Sequence, residues 1–519
     1  MKNIFKTILL SVVVLGMHSC SEETLLDLSP IINIAEEDAF TTADYVLASM
    51  NGVYNAAAIG RYNSTDNNGG RGYIWGAAFV EQGDCRGEDV VTTATFYGIT
   101  YAATYDVGSA NNVYYWIDGY RLINRCNLMI EGVNTAVANG VITSAVGNDY
   151  IGQAKFLRAI THFELLNYFA RCYNYTPTAS HLGIPYREVG INTQVEIDSE
   201  ILKPRNTVAE CYTKILSDLN DAESLITNTS VTKASKNAAI AFKTRVYLQK
   251  RDWANVITEG NKLTTYSLPA SPGTPFILAS NFTNTESIFS LSHSSTANPG
   301  TNGALGAMYG GRRLVAISPI IWRNTKWLTD DKRRDATPLT GMVQNISGRI
   351  YTNKYKDVTN FTDGSPIIRY AEVLLNMAEA NARLTTPNLT SALTMLNTVR
   401  NRSLATPATQ AYTATNLNTP TLIVNAILTE RRIEFLMEGR RWSDIQRLEK
   451  DDIAPSAGIP AKLKNAEPPL AAEYTLGTEY TGPRLQLAIP ADDFRFLWPI
   501  PINELNTNPT LAAQQNPGW

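Results

Sequence analysis

The chain has 519 residues, 44% of them hydrophobic, and a formal net charge of −3. That composition can fill a large core. The 45 basic residues are balanced by 48 acidic ones and form no basic block, which argues against a nucleic-acid binder.

Residues 1–19 read as a secretory signal peptide. Lys2 and Lys6 give a short basic start, and Ile8 to Leu15 an apolar stretch too short to span a membrane. Ser19-Cys20 resembles a bacterial lipobox, in which the cysteine is acylated and becomes the new first residue. Cleavage there removes Lys2 and Lys6 and moves the formal charge from −3 to −5. Ser21-Glu22-Glu23 opens a tether over 20–35. The acidic pair fits a solvated linker, and it also resembles the surface-export signal of some lipoproteins, the reading adopted here. No later segment is long and apolar enough to span a bilayer. Cys85, Cys126, Cys172 and Cys211 show no CxxC or metal-ligand spacing. The last three lie in or beside helical patterns and read as small buried hydrophobes.

Residues 36–519 read as one mainly α-helical domain, with helical halves at 36–265 and 366–519 around a loop-rich stretch at 266–365. The first aromatic, Gly/Asn-rich loop runs from Arg61 to Thr104. Within it, Asp66-Asn67-Asn68-Gly69 reads as a turn, since a calcium loop needs a later ligating glutamate. From Tyr150 to Arg171, the residues Phe156, Ile160, Phe163, Leu166 and Ala170 form one helix stripe. Val208, Cys211, Ile215, Leu219 and Ala222 form another, opened by a capping box of Thr207 and Glu210. Ala238 to Leu248, a break at Lys250-Arg251-Asp252, and Trp253 to Leu263 make a tight helical hairpin of tetratricopeptide type. A second long loop runs from Pro269 to Asp363. The hairpin design returns at Ile367 to Ala382, a break at Thr385-Thr386-Pro387-Asn388, and Leu389 to Val399. Such pairs bury their faces by stacking on neighbours. The Pro-rich stretch from Ile453 to Asp492 is expected to pack on the scaffold.

Four segments, in order, resemble one family. They are Phe156-Leu157-Arg158-Ala159 with Gly183-Ile184-Pro185-Tyr186; Ile368-Arg369-Tyr370-Ala371-Glu372; Glu430-Arg431-Arg432 through Glu438-Gly439-Arg440-Arg441-Trp442-Ser443-Asp444; and Pro499-Ile500-Pro501 to Asn516-Pro517-Gly518-Trp519. The chain is similar throughout to the SusD/RagB family of outer-membrane nutrient-binding lipoproteins. The resemblance implies a scaffold of tetratricopeptide-like hairpins and a partner, a TonB-dependent (SusC-like) barrel transporter that the lipoprotein caps. It implies a ligand, most often an oligosaccharide and sometimes a peptide. A scaffold subunit that binds no ligand and a surface glycosidase are the rival readings.

The resemblance also implies, by region only, that ligand-contacting aromatics sit in the two loops. Trp75, Tyr97 and Tyr101 occupy the first, with Asp84 and Arg86 nearby; Tyr309, Trp322 and Trp327 occupy the second. An aromatic ring covers the apolar face of a sugar at low entropy cost. In the charged signature, Glu430, Glu434 and Glu438 are spaced at four, and Glu438/Arg441 and Asp444/Arg447 at three, which suits intrahelical ion pairs. We read these as a packing network around a core Trp442, not as an acid/base pair of Glu434 and Glu438. Trp519 reads as a plug for the chain end. His162, His181 and His293 form no metal motif, and no nucleophile elbow or phosphate loop appears. No catalytic residue, metal or cofactor is expected.

Overall fold

The computed structural model describes residues 38–60 and 70–519. Cys20, the Ser21-Glu22-Glu23 tether and the turn at Asp66 to Gly69 lie outside the described residues.

The scaffold is a stack of antiparallel helices. Helix α1 (Ala43–Ile59) is capped by Thr42, and the short α2 (Ala77–Cys85) is buried along its whole length. The long pair α3 (Ala110–Ala138) and α4 (Ser144–Phe169) follows. From Gly152 onward α4 is buried on nearly every side, its polar Arg158, His162, Glu164 and Asn167 included, and it forms the centre of the stack. It packs between α3 and the later helix at Val208–Leu225. After the short α5 (Gln194–Glu200) come α6 (Val208–Leu225), α7 (Lys236–Lys250) and α8 (Trp253–Gly260). The capping box expected at Thr207 is formed: Glu210 N donates to Thr207 Oγ1 at 3.2 Å, and Thr207 N to Glu210 Oε2 at 2.8 Å. At the expected break Arg251 turns left-handed (φ 63°), and Asp252 caps α8.

The second helical block is α9 (Tyr370–Arg383), α10 (Leu389–Asn401) and α11 (Pro420–Glu434). Ala371, Leu375, Leu396, Val424 and Ile427 form their own core there, next to the larger cluster that runs from Val46 to Ile500. The signature closes with α12 (Arg441–Arg447). Each break expected in sequence is a capped turn; Asn388 caps α10 through a 3.0 Å bond from Ser391 N.

The strands are short antiparallel pairs. β1 (Val90–Thr92) pairs with β3 (Val315–Ile317), β2 (Ser287–Leu291) with β6 (Ser365–Arg369), and β4 (Val343–Ile346) with β5 (Arg349–Thr352). The two-residue turn joining β4 to β5 has positive φ at both Ser347 and Gly348, the twist such hairpins require. The Pro-rich stretch packs on both loop regions, with Tyr101 donating to Leu463 O at 2.8 Å and Trp322 to Tyr474 O at 3.1 Å, and on α2 of the scaffold, where Lys462 donates to Cys85 O. Among the described residues, no helix is long and apolar enough to cross a membrane. Cys85, Cys126, Cys172 and Cys211 are free and buried.

Candidate ligand-binding site

The two loop regions meet. β1 belongs to the first and β3 to the second, and their ladder continues as Thr93 N donates to Leu314 O at 2.9 Å. Ala77 N donates to Gly303 O at 3.1 Å. Here the backbones touch: a Cβ on Gly303 would lie 2.7 Å from Arg71 Cα, and one on Gly72 only 2.5 Å from Gly76 Cα. Glycine is required by that approach.

The eight side chains expected to contact ligand are all buried, from 0% exposed (Arg86, Tyr309) to 6% (Trp322). None of them therefore presents an open ring face as a platform. Trp75 sits at φ 132° and packs on Phe79, with ring centroids 4.9 Å apart. Tyr97 packs edge-on to Phe96 at 4.9 Å, and the Tyr101 ring lies under the Lys462 ammonium at 4.4 Å. Tyr309 packs on Tyr355 at 5.6 Å and reaches Asp84 Oδ2 at 3.4 Å. Asp84 also accepts from Gly439 N at 3.3 Å. Arg86 stacks on Trp442 at 3.8 Å and donates to Tyr105 Oη at 3.0 Å and Phe496 O. Trp322 and Trp327 pack edge to face at 5.3 Å, with Arg334 against both. These groups are the floor of the loop junction.

Above that floor two features are accessible. Phe96 is half-buried, with the Arg71 guanidinium 5.2 Å and the Arg312 guanidinium 5.4 Å from its centroid. Arg312 Nη1 is steadied by Asn302 Oδ1 at 2.7 Å. Beside the tryptophan pair a cleft of about 300 Å³ is lined by Arg323, Trp327, Asp330, Arg334 and Gln410 among others. Burial pushes the carboxyls of Glu81 and Asp84 well above their ordinary range. A ring flanked by planar donors is suited to a ligand with an apolar face and hydrogen-bonding edges. Sequence reasoning passed over Phe96 because it weighed Trp and Tyr, and nothing in the local spacing distinguishes it.

The sequence pattern of the SusD family matches residues 323–519, and that of a second family, described as starch-binding associating with outer membrane, matches residues 84–248. SusD-like protein P2 of Formosa agariphila is 24% identical, with 98% of each chain covered. The crystal structure of a SusD superfamily protein from Bacteroides fragilis superposes with a TM-score of 0.75 at 28% identity, covering 91% of this chain and 99% of that one. A surface glycan-binding protein A from Bacteroides uniformis shares the fold at 19% identity and a TM-score of 0.65, covering 92% and 99%. The chain belongs to the SusD/RagB family.

In this SusD/RagB chain the charged signature is a corner rather than one helix, which corrects the intrahelical expectation. Glu434 ends α11, and the backbone turns through Met437 (φ 64°) and Gly439 (φ 73°) into α12. Asp444 and Arg447 pair within α12 at 2.8 Å, but the other contacts reach across the fold. Arg369 on β6 bonds Glu434 at 2.6 Å and Glu438 at 2.9 Å. Arg333 bonds Glu434 at 2.9 Å and Asp331 at 2.8 Å, and Arg402 pairs with Glu286 and Glu434. Arg447 and Arg383 converge on Glu379, at 2.8 and 2.9 Å. Burial alone would raise the Glu434 and Glu438 carboxyls, but Arg402, Arg369, Arg333 and Lys354 hold them below the usual range. Both are ionised at neutral pH, so neither can donate a proton as a general acid. Trp442 is a core anchor, its Nε1 donating to Asn167 O at 2.9 Å, and Trp519 packs against Phe494 and Tyr105 at the chain end. A Cβ on Gly83 would lie 2.3 Å from Gly439 O, so the signature corner clamps α2, which carries the floor of the loop junction.

Proposed function

We propose that this SusD/RagB protein captures carbohydrate at the cell surface and passes it to a TonB-dependent, SusC-like transporter, held to the outer membrane by a lipid on Cys20. The observation that carries the binding site is the junction of the two loops: Phe96 with two guanidiniums near its ring, on a floor of buried aromatics clamped by the signature corner. Covering roughly 80 Å² of sugar with a ring contributes about 2 kcal/mol at ~25 cal/mol/Å². With hydrogen bonds from Arg and Asn this gives weak capture, which lipid tethering beside a transporter would offset through effective concentration.

Calorimetric titration of the purified chain against a panel of neutral and acidic oligosaccharides and peptides tests the ligand class. Binding of peptides but no glycan removes the carbohydrate part. The burial of all eight expected contact residues favours a second reading, a scaffold subunit that touches no ligand. That reading predicts that Phe96→Ala leaves nutrient uptake by whole cells unchanged.

A further inference from the structure

The arginines of the core and those of the loop side differ in their partners. Arg333, Arg369, Arg402, Arg431 and Arg447 each meet at least one carboxylate. Arg312, Arg313 and Arg349 instead bond Asn302, Gln344 and Pro469 O. Arg323 donates to the backbone and side chain of Thr478, at 3.0 and 2.6 Å. Arg334 is the most confined of the loop-side group. Its guanidinium lies 4.3 Å and 4.2 Å from the rings of Trp322 and Trp327. Nε donates to Leu328 O at 2.8 Å, and Nη2 to Trp322 O and Trp327 O at 2.7 Å each.

Two donors remain. Arg334 Nη1 and Trp327 Nε1 are both buried and have no acceptor, and both residues line the same 300 Å³ cleft. The lining carboxylate of Asp330 is turned to Gln410 Nε2 at 2.8 Å. Burial lowers the Arg334 pKa to about 10, so the group is still charged at neutral pH. Arg334 makes no ion pair among the described residues: the Asp331 carboxylate that acts on it is already bonded by Arg333, and Arg334 Nη1, beside the unmatched Trp327 N–H, is left without an acceptor, which favours an added oxyanion. A neutral hydroxyl can accept from both donors through its two lone pairs but brings no charge; a carboxylate or sulfate accepts from both and also pairs with the cation. Both nitrogens are covered here, so occupancy requires a lining side chain to shift, and the exposed Asp330 with Gln410 is the part of the wall not packed in the core.

We propose that the cleft at Trp327 and Arg334 is a subsite for the anionic group of an acidic glycan, a uronate carboxylate or a sulfate ester. The proposal rests on the carbohydrate reading above and narrows its ligand class.

Matched ligands separate the terms: a tetragalacturonide against its methyl ester, and a sulfated dextran oligosaccharide against plain dextran of equal length, titrated into the full chain. At least one charged member should bind about tenfold tighter than its neutral partner, the scale of one charge-assisted hydrogen bond, and the preference should shrink with added NaCl. The uronate and sulfate arms tell which anion is taken. Trp327→Phe keeps an aromatic ring and removes Nε1, so it should reduce the charged-over-neutral ratio about fivefold; the smaller ring also lowers the unfolding midpoint, so the ratio is read at a temperature where circular dichroism shows the variant folded. Arg323→Gln, a smaller surface change, should weaken charged ligands alone. Equal binding of charged and neutral members, or a ratio untouched by Trp327→Phe, overturns the anionic subsite and leaves carbohydrate binding standing. No binding to any glycan overturns both.

Discussion

Glu434→Gln keeps the shape of the side chain and removes its charge. The carboxylate accepts from Arg369 at 2.6 Å, from Arg333 at 2.9 Å and from Arg402, and the residue is 0% exposed. Losing one member of a buried ion network costs about 3–5 kcal/mol, because the partners stay buried. Each arginine keeps another carboxylate: Arg333 has Asp331 and Glu430, Arg369 has Glu438 and Glu286, and Arg402 has Glu286. We therefore expect the lower end, about 3 kcal/mol. Urea denaturation followed by circular dichroism should show a lower midpoint at an unchanged slope. The pH dependence has a fixed sign. The folded pKa of Glu434 lies below its unfolded value, so its stabilisation is present above the unfolded pKa of about 4.3 and is lost as pH falls. The gap between wild type and variant should therefore close on acidification from pH 5 toward pH 3. A loss under about 1 kcal/mol at pH 7 would refute the network as a structural brace and reopen a chemical role for Glu434.

Phe96→Ala should weaken oligosaccharide binding about tenfold, from roughly 2 kcal/mol of lost ring contact offset by relaxation, and lower the urea midpoint only modestly, since the ring is half-buried against the core. Gly439→Ala places a Cβ 2.9 Å from Val80 Cα at φ 73°; it should cost at least about 1–3 kcal/mol, read from the same denaturation curve. Burial pushes the thiols of Cys126, Cys172 and Cys211 up to about 12, so with Cys85 they should resist alkylation in the folded chain and all react in denaturant, as counted by mass spectrometry.

The helical scaffold was legible where apolar stripes were clean, as in α4, α6 to α8, and α9 with α10. Helix α3, at 29 residues the longest of the described helices, escaped notice because its buried face includes Asn111, Asn112, Asp118, Gly119 and Asn127 beside its apolar residues. Those polar groups interrupt the stripe, and some of their partners lie far off in sequence; Asn127, for instance, is bonded by Arg158 and donates to Val189 O. The signature was recognisable as charged, but its pairings were not: Arg432 meets Asp89 across 343 positions. The burial of the loop aromatics was hidden for a related reason. Composition tells that a Trp lies in a loop, not which way the loop turns it, and here the close glycine contacts at Gly72 and Gly303 fold both loops inward over their own rings. Phe96, left at the surface by that folding, has no sequence mark of its own.

The central claim is that ligand meets this chain where its two loops join. Hydrogen exchange mapped by mass spectrometry, with and without a saturating oligosaccharide from the binding panel, tests it directly. The account predicts slower exchange in the 93–97 and 302–313 backbone, around Phe96 and Arg312. It predicts no change in the cleft between α3 and the 185–191 segment, where Tyr120 and Arg187 line a separate opening. Protection confined to that opening, with the loop junction unaffected, would contradict it.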